Sequence, residues 1–252
     1  LPISTPEFFG QSPTGLAVVL FAAFVGGVVR GFSGFGTALV FLPIAAPYLG
    51  PFGALIGLTI MDIFGPLPNL RRAWLVVDRG DLLRLLLGCV FFMPLGLWVL
   101  TQVAPEVFQY AVSLLGLSML VVLILGVRYH GHVGRVMVAG IGGAAGFLGG
   151  AAGLPGPAVI LFYMSRPLPV DVIRATILLF LFGFDFLLLG FLTGMERVTL
   201  AASALGFVLA VPNLLGNWLG GWLFRPQHEK LYRGAAYLTI AGAALSGLPL
   251  WG

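Results

Sequence analysis

Apolar runs of about 20 residues, each long enough to cross a hydrocarbon core of about 30 Å, recur from residue 14 almost to the end of this 252-residue chain. Nothing constrains the fold more. A water-soluble domain carries roughly 25% Asp, Glu, Lys and Arg, whereas these four make up 9% here and hydrophobic residues 59%. The chain reads as an all-α polytopic membrane protein. Its formal charge of +4 does not indicate nucleic acid, because the basic residues lie in short connectors and form no dense run. A lone cysteine, Cys89, in an apolar segment leaves no disulfide framework and no cysteine metal cluster. The opening LPISTPEFFGQSP lacks the basic region of a signal peptide, so residues 1–13 are expected to be an extramembrane or interfacial lead-in.

Self-comparison divides the rest in two. At an offset of 118, Gly88–Pro94 (GCVFFMP) falls on Gly206–Pro212 (GFVLAVP), and Asp78-Arg79 falls on Glu196-Arg197. At 119, Gly31–Gly34 (GFSG) falls on Gly150–Gly153 (GAAG). Ordered matches over a half-length point to a duplication, with repeats at 14–127 and 136–250 and a connector at 128–135. Each repeat opens with an apolar stretch cut by glycines, 14–48 and 136–165. Three plain spans are then expected in each: 52–70, 81–101 and 106–127, then 171–193, 199–223 and 229–250. The glycine-cut stretches read as re-entrant hairpins with tips at 31–36 and 149–156. The arm 157–165 measures only about 13 Å at 1.5 Å per residue.

Charge placement supports this order of crossings. With the first hairpin entering from outside, 71–84, 128–135, the mouths of the second hairpin and 225–233 face the cytoplasm and hold 11 of the 13 basic residues. Arg197 falls outside, and Arg30 lies at the first tip. An odd number of crossings per half makes the repeats inverted, an architecture common among secondary transporters, and fully crossing hairpins would keep that parity. Both termini are then expected on the periplasmic side.

The tips need a purpose, since non-helical backbone at membrane depth is tolerated only where protein buries it or where it lines a cavity. Glycine allows the reversal and leaves amides unobstructed. A helix restarts after each tip, at Thr37 and at Pro157, and two helix N-termini converging at the centre would hold an anion. Arg30 adds a full charge and a forked donor set. If the first hairpin crosses completely, Arg30 instead joins the cytoplasmic basic set. Glycines also serve close helix packing, as expected for Gly216-x-x-x-Gly220.

The segments RGFSGFGTALVFLP and GAAGFLGGAAGLPGPAVIL, heading two repeats with basic connectors, resemble the sulfite exporter TauE/SafE family. The resemblance covers nearly the whole chain. It implies a membrane protein that moves sulfite, sulfonates and related sulfur-containing organic anions. The second tip departs from the usual glycine run with Leu154-Pro155-Gly156-Pro157, so the two tips need not act alike.

Other polar residues lie within apolar segments. Asp62 and Asp185 are candidates for coupling transport to protons, or for pairing with an arginine such as Arg30. Asn213 and Asn217 share a helix face beside Pro212 and would either line the path or bond a neighbouring helix. His130, His132 and His228 fall in connectors, and no metal site is expected.

A reading of another class is a rhomboid-like intramembrane serine protease, since Gly31-Phe32-Ser33-Gly34 fits Gly-x-Ser-Gly with Ser33 as nucleophile. Such a serine needs a base within reach, and the histidines lie outside the apolar segments. The second repeat has Ala152 in place of Ser33, so the shared feature is the glycine frame.

The expectation is a secondary carrier, not an enzyme, that exports small sulfur-containing oxyanions across the inner membrane by alternating access. Arg30, Ser33, Gly34, Gly36, Thr37, Gly153, Gly156 and Asn213 are the expected substrate-binding residues. A proton-coupled importer of organic sulfonates is the alternative within transport. The expected partners are the anion and the bilayer, with a second copy of the chain as a further candidate. No cofactor and no nucleic acid are expected.

Overall fold

The structure, a computed structural model, describes residues 11–125, 134–163, 168–223, 227 and 229–248. Every regular element among them is helical. Helix α1 (Pro13–Ser33) starts at Ser12, whose hydroxyl accepts from the Gly15 amide at 3.1 Å, with proline at the first position. It stops at Gly34, held left-handed at φ 80°. After a second left-handed glycine, Gly36 (φ 104°), α2 runs Thr37–Ile63. Helix α2 is two pieces, because Gly50 (φ 66°, ψ 171°) breaks it in a stretch where Pro43, Pro47 and Pro51 withhold amide donors.

The chain continues through a 3-10 turn (Leu67–Asn69), α3 (Leu70–Val76), α4 (Arg79–Gln102) and α5 (Pro105–Leu125). The second hairpin is α6 (Arg135–Ala152), a left-handed Gly153 at φ 68°, and α7 (Gly156–Tyr163). Helices α8 (Val170–Gly194), α9 (Leu200–Leu223) and α10 (Glu229–Ser246) follow. Among the described residues, seven stretches are long and apolar enough to cross a membrane: α1, the α2–α3 region, α4, α5, α6, α8 and α9. This is a multi-pass membrane protein.

One expected span is corrected. The span expected at 52–70 is not a single plain helix, because the helix ends at Ile63 and the chain turns through Phe64–Pro66 before α3. Pro66 and Pro68 cannot donate to an α-helical ladder, and Gly65 weakens the helix just before them. The remaining helical piece, 51–63, is about 20 Å long. The entering arms α1 and α6, at about 31 and 27 Å, are themselves as long as spanning helices. Residues 1–10 of the lead-in, most of the 128–135 connector, and His130, His132, His228, Arg128, Arg166 and Arg225 lie outside the described residues.

The two sequence halves pack crosswise. Helix α1 lies along α9, and α6 lies along α4. Lipid is as apolar as leucine, so association here depends on close van der Waals fit, which small residues permit. A Cβ on Gly88 would land on the Ala139 carbonyl oxygen, and one on Gly142 on that of Leu85; Gly146 faces Cys89 in the same way. On the other side Gly27 meets Asn213, Gly31 meets Asn217, Gly216 meets Phe24 and Gly220 meets Val28, again backbone against backbone. Two bundles result. One gathers α1, α2, α5, α9 and α10, the other α3, α4, α6, α7 and α8, and they meet mainly where α2 packs on α8. The outer faces carry exposed apolar side chains such as Phe91, Trp98, Trp218 and Trp222, as lipid contact requires.

Candidate functional site

Both hairpin tips line one cavity of about 90 Å³ at the seam between the bundles. The first bundle contributes Arg30, Gly34–Leu39, Leu58, Thr59, Asp62 and Met119. The second contributes Gly153–Pro157 and Ile160 from tip and returning arm, with Leu181, Phe184, Asp185 and Leu188 from α8. Of the expected residues, Arg30, Gly34, Gly36, Thr37, Gly153 and Gly156 are brought together here, along with both aspartates.

The wall at tip 1 is rich in unused donors. No side chain caps the N-terminus of α2, so its first-turn amides keep their partial positive charge. Thr37 is 2% exposed, and its hydroxyl faces the Asp62 carboxylate. A buried hydroxyl needs an acceptor, and an oxyanion in the cavity could take the place of the carboxylate. Space around Gly34 is open, with nothing within 4 Å of where a Cβ would sit. Tip 2 is tighter, because a Cβ on Gly153 would come within 2.5 Å of Leu55 and 2.7 Å of Leu42.

Arg30 does not stand alone. Its Nη1 lies 2.8 Å from Asp62 Oδ1, and its guanidinium packs over Gly65, with Cζ 3.4 Å from the place a Cβ would take. The arginine thus sits against the last turn of α2, where the helix dipole favours a cation. Asp62, in that same turn, is disfavoured by the dipole and is offset by Arg30. Asp185, from α8, completes the charged lining and makes no ion pair among the described residues.

Two expected residues lie elsewhere. Ser33 Oγ sits 2.6 Å from the carbonyl oxygens of both Val29 and Phe35 and accepts from the Phe35 amide at 3.3 Å. Its hydroxyl is used up in stapling the end of α1 to the turn. Asn213 is fully buried between α9 and α1, donating from Nδ2 to the Ala23 carbonyl at 3.3 Å. It is interhelical glue, and the cavity lining does not include it.

Thr59, Phe35 and Met119 line the cavity without having been singled out in the sequence. Thr59 had a readable signal: it is three residues before Asp62, on the same helix face. Gly31 changes meaning. Aligned with the tip in the sequence, it is in fact a packing glycine set backbone to backbone against α9.

Two other features are separate from this centre. Tyr163, at the end of α7, donates to Asp81 Oδ2 at 3.3 Å while Asp81 Oδ1 pairs with Arg84 at 3.0 Å, fastening the returning arm to α4. A larger apolar pocket of about 320 Å³, bounded by Ile60, Phe64, Leu189 and Phe207, carries no charged group.

Comparison with known proteins gives one family. The family model described as Sulfite exporter TauE/SafE matches residues 19–247. No curated protein and no solved structure matches the chain.

Proposed function

Because the chain belongs to the sulfite exporter TauE/SafE family, whose members are membrane transporters and not enzymes, we propose that it exports small sulfur-containing oxyanions, sulfite or organosulfonates, across the inner membrane. The observation that carries this reading is the wall at tip 1. An uncapped helix N-terminus, the buried Thr37 hydroxyl and Arg30 all border one small cavity. Each offers donors to negative oxygen, while Leu39, Leu58, Leu154 and Phe184 exclude water and strengthen the field there.

The cavity's place at the bundle seam suits alternating access, and the crosswise packing suggests which bodies move. The glycine contacts lock α1 to α9 and α4 to α6, so neither sequence half can swing free of the other. The units that rock are instead the two mixed bundles, sliding where α2 meets α8. In this reading the repeats are inverted, both termini are periplasmic and the basic connectors face the cytoplasm. An inside-negative potential favours outward anion movement by about 2.3 kcal/mol per charge per 100 mV, so export needs no coupling ion.

One observation favours a second reading. Two carboxylates, Asp62 and Asp185, border the cavity, as a proton-coupled importer of organic sulfonates would require. The test is flux of sulfite and a panel of organosulfonates in proteoliposomes, with and without a proton gradient. Export predicts potential-driven flux that needs no gradient. Accumulation only under a proton gradient supports the importer.

The protease reading has no support. Ser33 is engaged with backbone carbonyls, and the family is one of transporters.

A further inference from the structure

Three charged side chains border the cavity, and only Arg30 among them is positive. With both aspartates ionised the lining carries a net negative charge. That is an odd setting for an anion unless one carboxylate gives way. Asp62 is placed to do so. It meets the guanidinium at one close contact of 2.8 Å and shares its carboxylate with the Thr37 hydroxyl, both of them donors that an oxyanion would also seek. The pair is neither deeply sealed nor bidentate, its side chains being 16% and 18% exposed. A carboxylate and a sulfur oxyanion seek the same donors in the same geometry. Two such anions on one guanidinium in about 90 Å³ would repel each other.

We propose that Asp62 is a tethered competitor of the substrate: its carboxylate occupies Arg30 in the empty site, and an entering sulfur oxyanion displaces it from the guanidinium. Resting on the export reading above, this assigns Asp62 a function of its own. It neutralises Arg30 between cycles, when an unpaired cation at membrane depth would be costly, and it drives substrate off by returning. Asp62 therefore lowers affinity and speeds release. A residue that merely oriented Arg30 would do the reverse and raise affinity.

The test is sulfite binding to the purified full-length chain by calorimetry, with turnover measured in proteoliposomes. Asp62→Asn keeps the shape and removes the charge. It is expected to tighten sulfite at least about tenfold while slowing turnover. Asp185→Asn, which removes a carboxylate not paired with Arg30, should change affinity by less than Asp62→Asn does. Should Asp62→Asn fail to fold, as judged by its melting temperature, Asp62→Ser removes the charge with a different side chain and carries the same expectation. Binding by wild type that Arg30→Ala abolishes, together with unchanged or weaker binding by the Asp62 variants, overturns the competitor role and leaves the anion site standing. Absence of sulfite and organosulfonate binding in the wild type instead overturns the function on which the inference rests.

Discussion

Gly34 and Gly153 end the two entering helices in the same left-handed conformation, φ +80° and +68°, from positions 119 residues apart in the chain. Their surroundings differ. Nothing would obstruct a Cβ at Gly34, whereas at Gly153 it would strike Leu42 and Leu55. The shared requirement is therefore backbone conformation, and the second tip adds a steric one.

From this follows an ordering of substitutions. Gly34→Ala incurs only the left-handed penalty, about 1–2 kcal/mol, while Gly153→Ala adds overpacking of about 1–3 kcal/mol. Thermal unfolding in detergent should place Gly153→Ala clearly below Gly34→Ala. Equal melting temperatures would mean that Leu42 and Leu55 yield freely.

Valine at either tip should depress sulfite flux more than Ser33→Ala. A β-branched side chain resists positive φ and stands where the amides approach the cavity. Ser33→Ala loses only the staple to Val29 and Phe35, a loss of about 1 kcal/mol. Flux measurements on the three variants decide the matter. Complete loss in Ser33→Ala alone would point to a site centred on the hydroxyl.

Asn213→Ala should cost stability and spare binding. The side chain joins α9 to α1 through Ala23, a contact worth about 0.6–1 kcal/mol in a membrane. Sulfite affinity by calorimetry is expected to stay within about twofold of wild type. A tenfold loss would return Asn213 to the transport path.

Cross-linking tests the moving bodies. In a Cys89→Ala background, which removes the one native cysteine, a disulfide between α1 and α9 should leave transport intact, and one between α2 and α8 should block it. Blockage by the α1–α9 link would show that these helices part during the cycle, as rocking of one sequence half against the other demands.

Much of this arrangement was legible in the sequence, and the reasons are physical. Gly34 and Gly153 stood out because glycine clusters inside apolar runs have few uses in lipid. Asp62 was readable as a partner for Arg30, since a charge at membrane depth needs one. The break at Gly65-Pro66 carries its own signal, masked by the apolar residues that flank it. The crosswise packing was not readable. A small residue such as Gly142 or Gly216 announces close approach without naming the helix that approaches. Ser33 and Asn213 lie outside the cavity lining for a related reason: a hydroxyl or amide serves a neighbouring backbone carbonyl as readily as a ligand, and only geometry tells the two apart.

The central claim is that Arg30 and the tip amides hold a sulfur oxyanion in transit. Its most direct test is potential-driven sulfite flux in proteoliposomes containing wild type, Arg30→Lys or Arg30→Ala, each checked for folding by its melting temperature. The account predicts flux in the wild type, reduced flux with lysine, which keeps the charge and loses the fork, and none with alanine in a folded protein. Wild-type flux persisting in folded Arg30→Ala would contradict it.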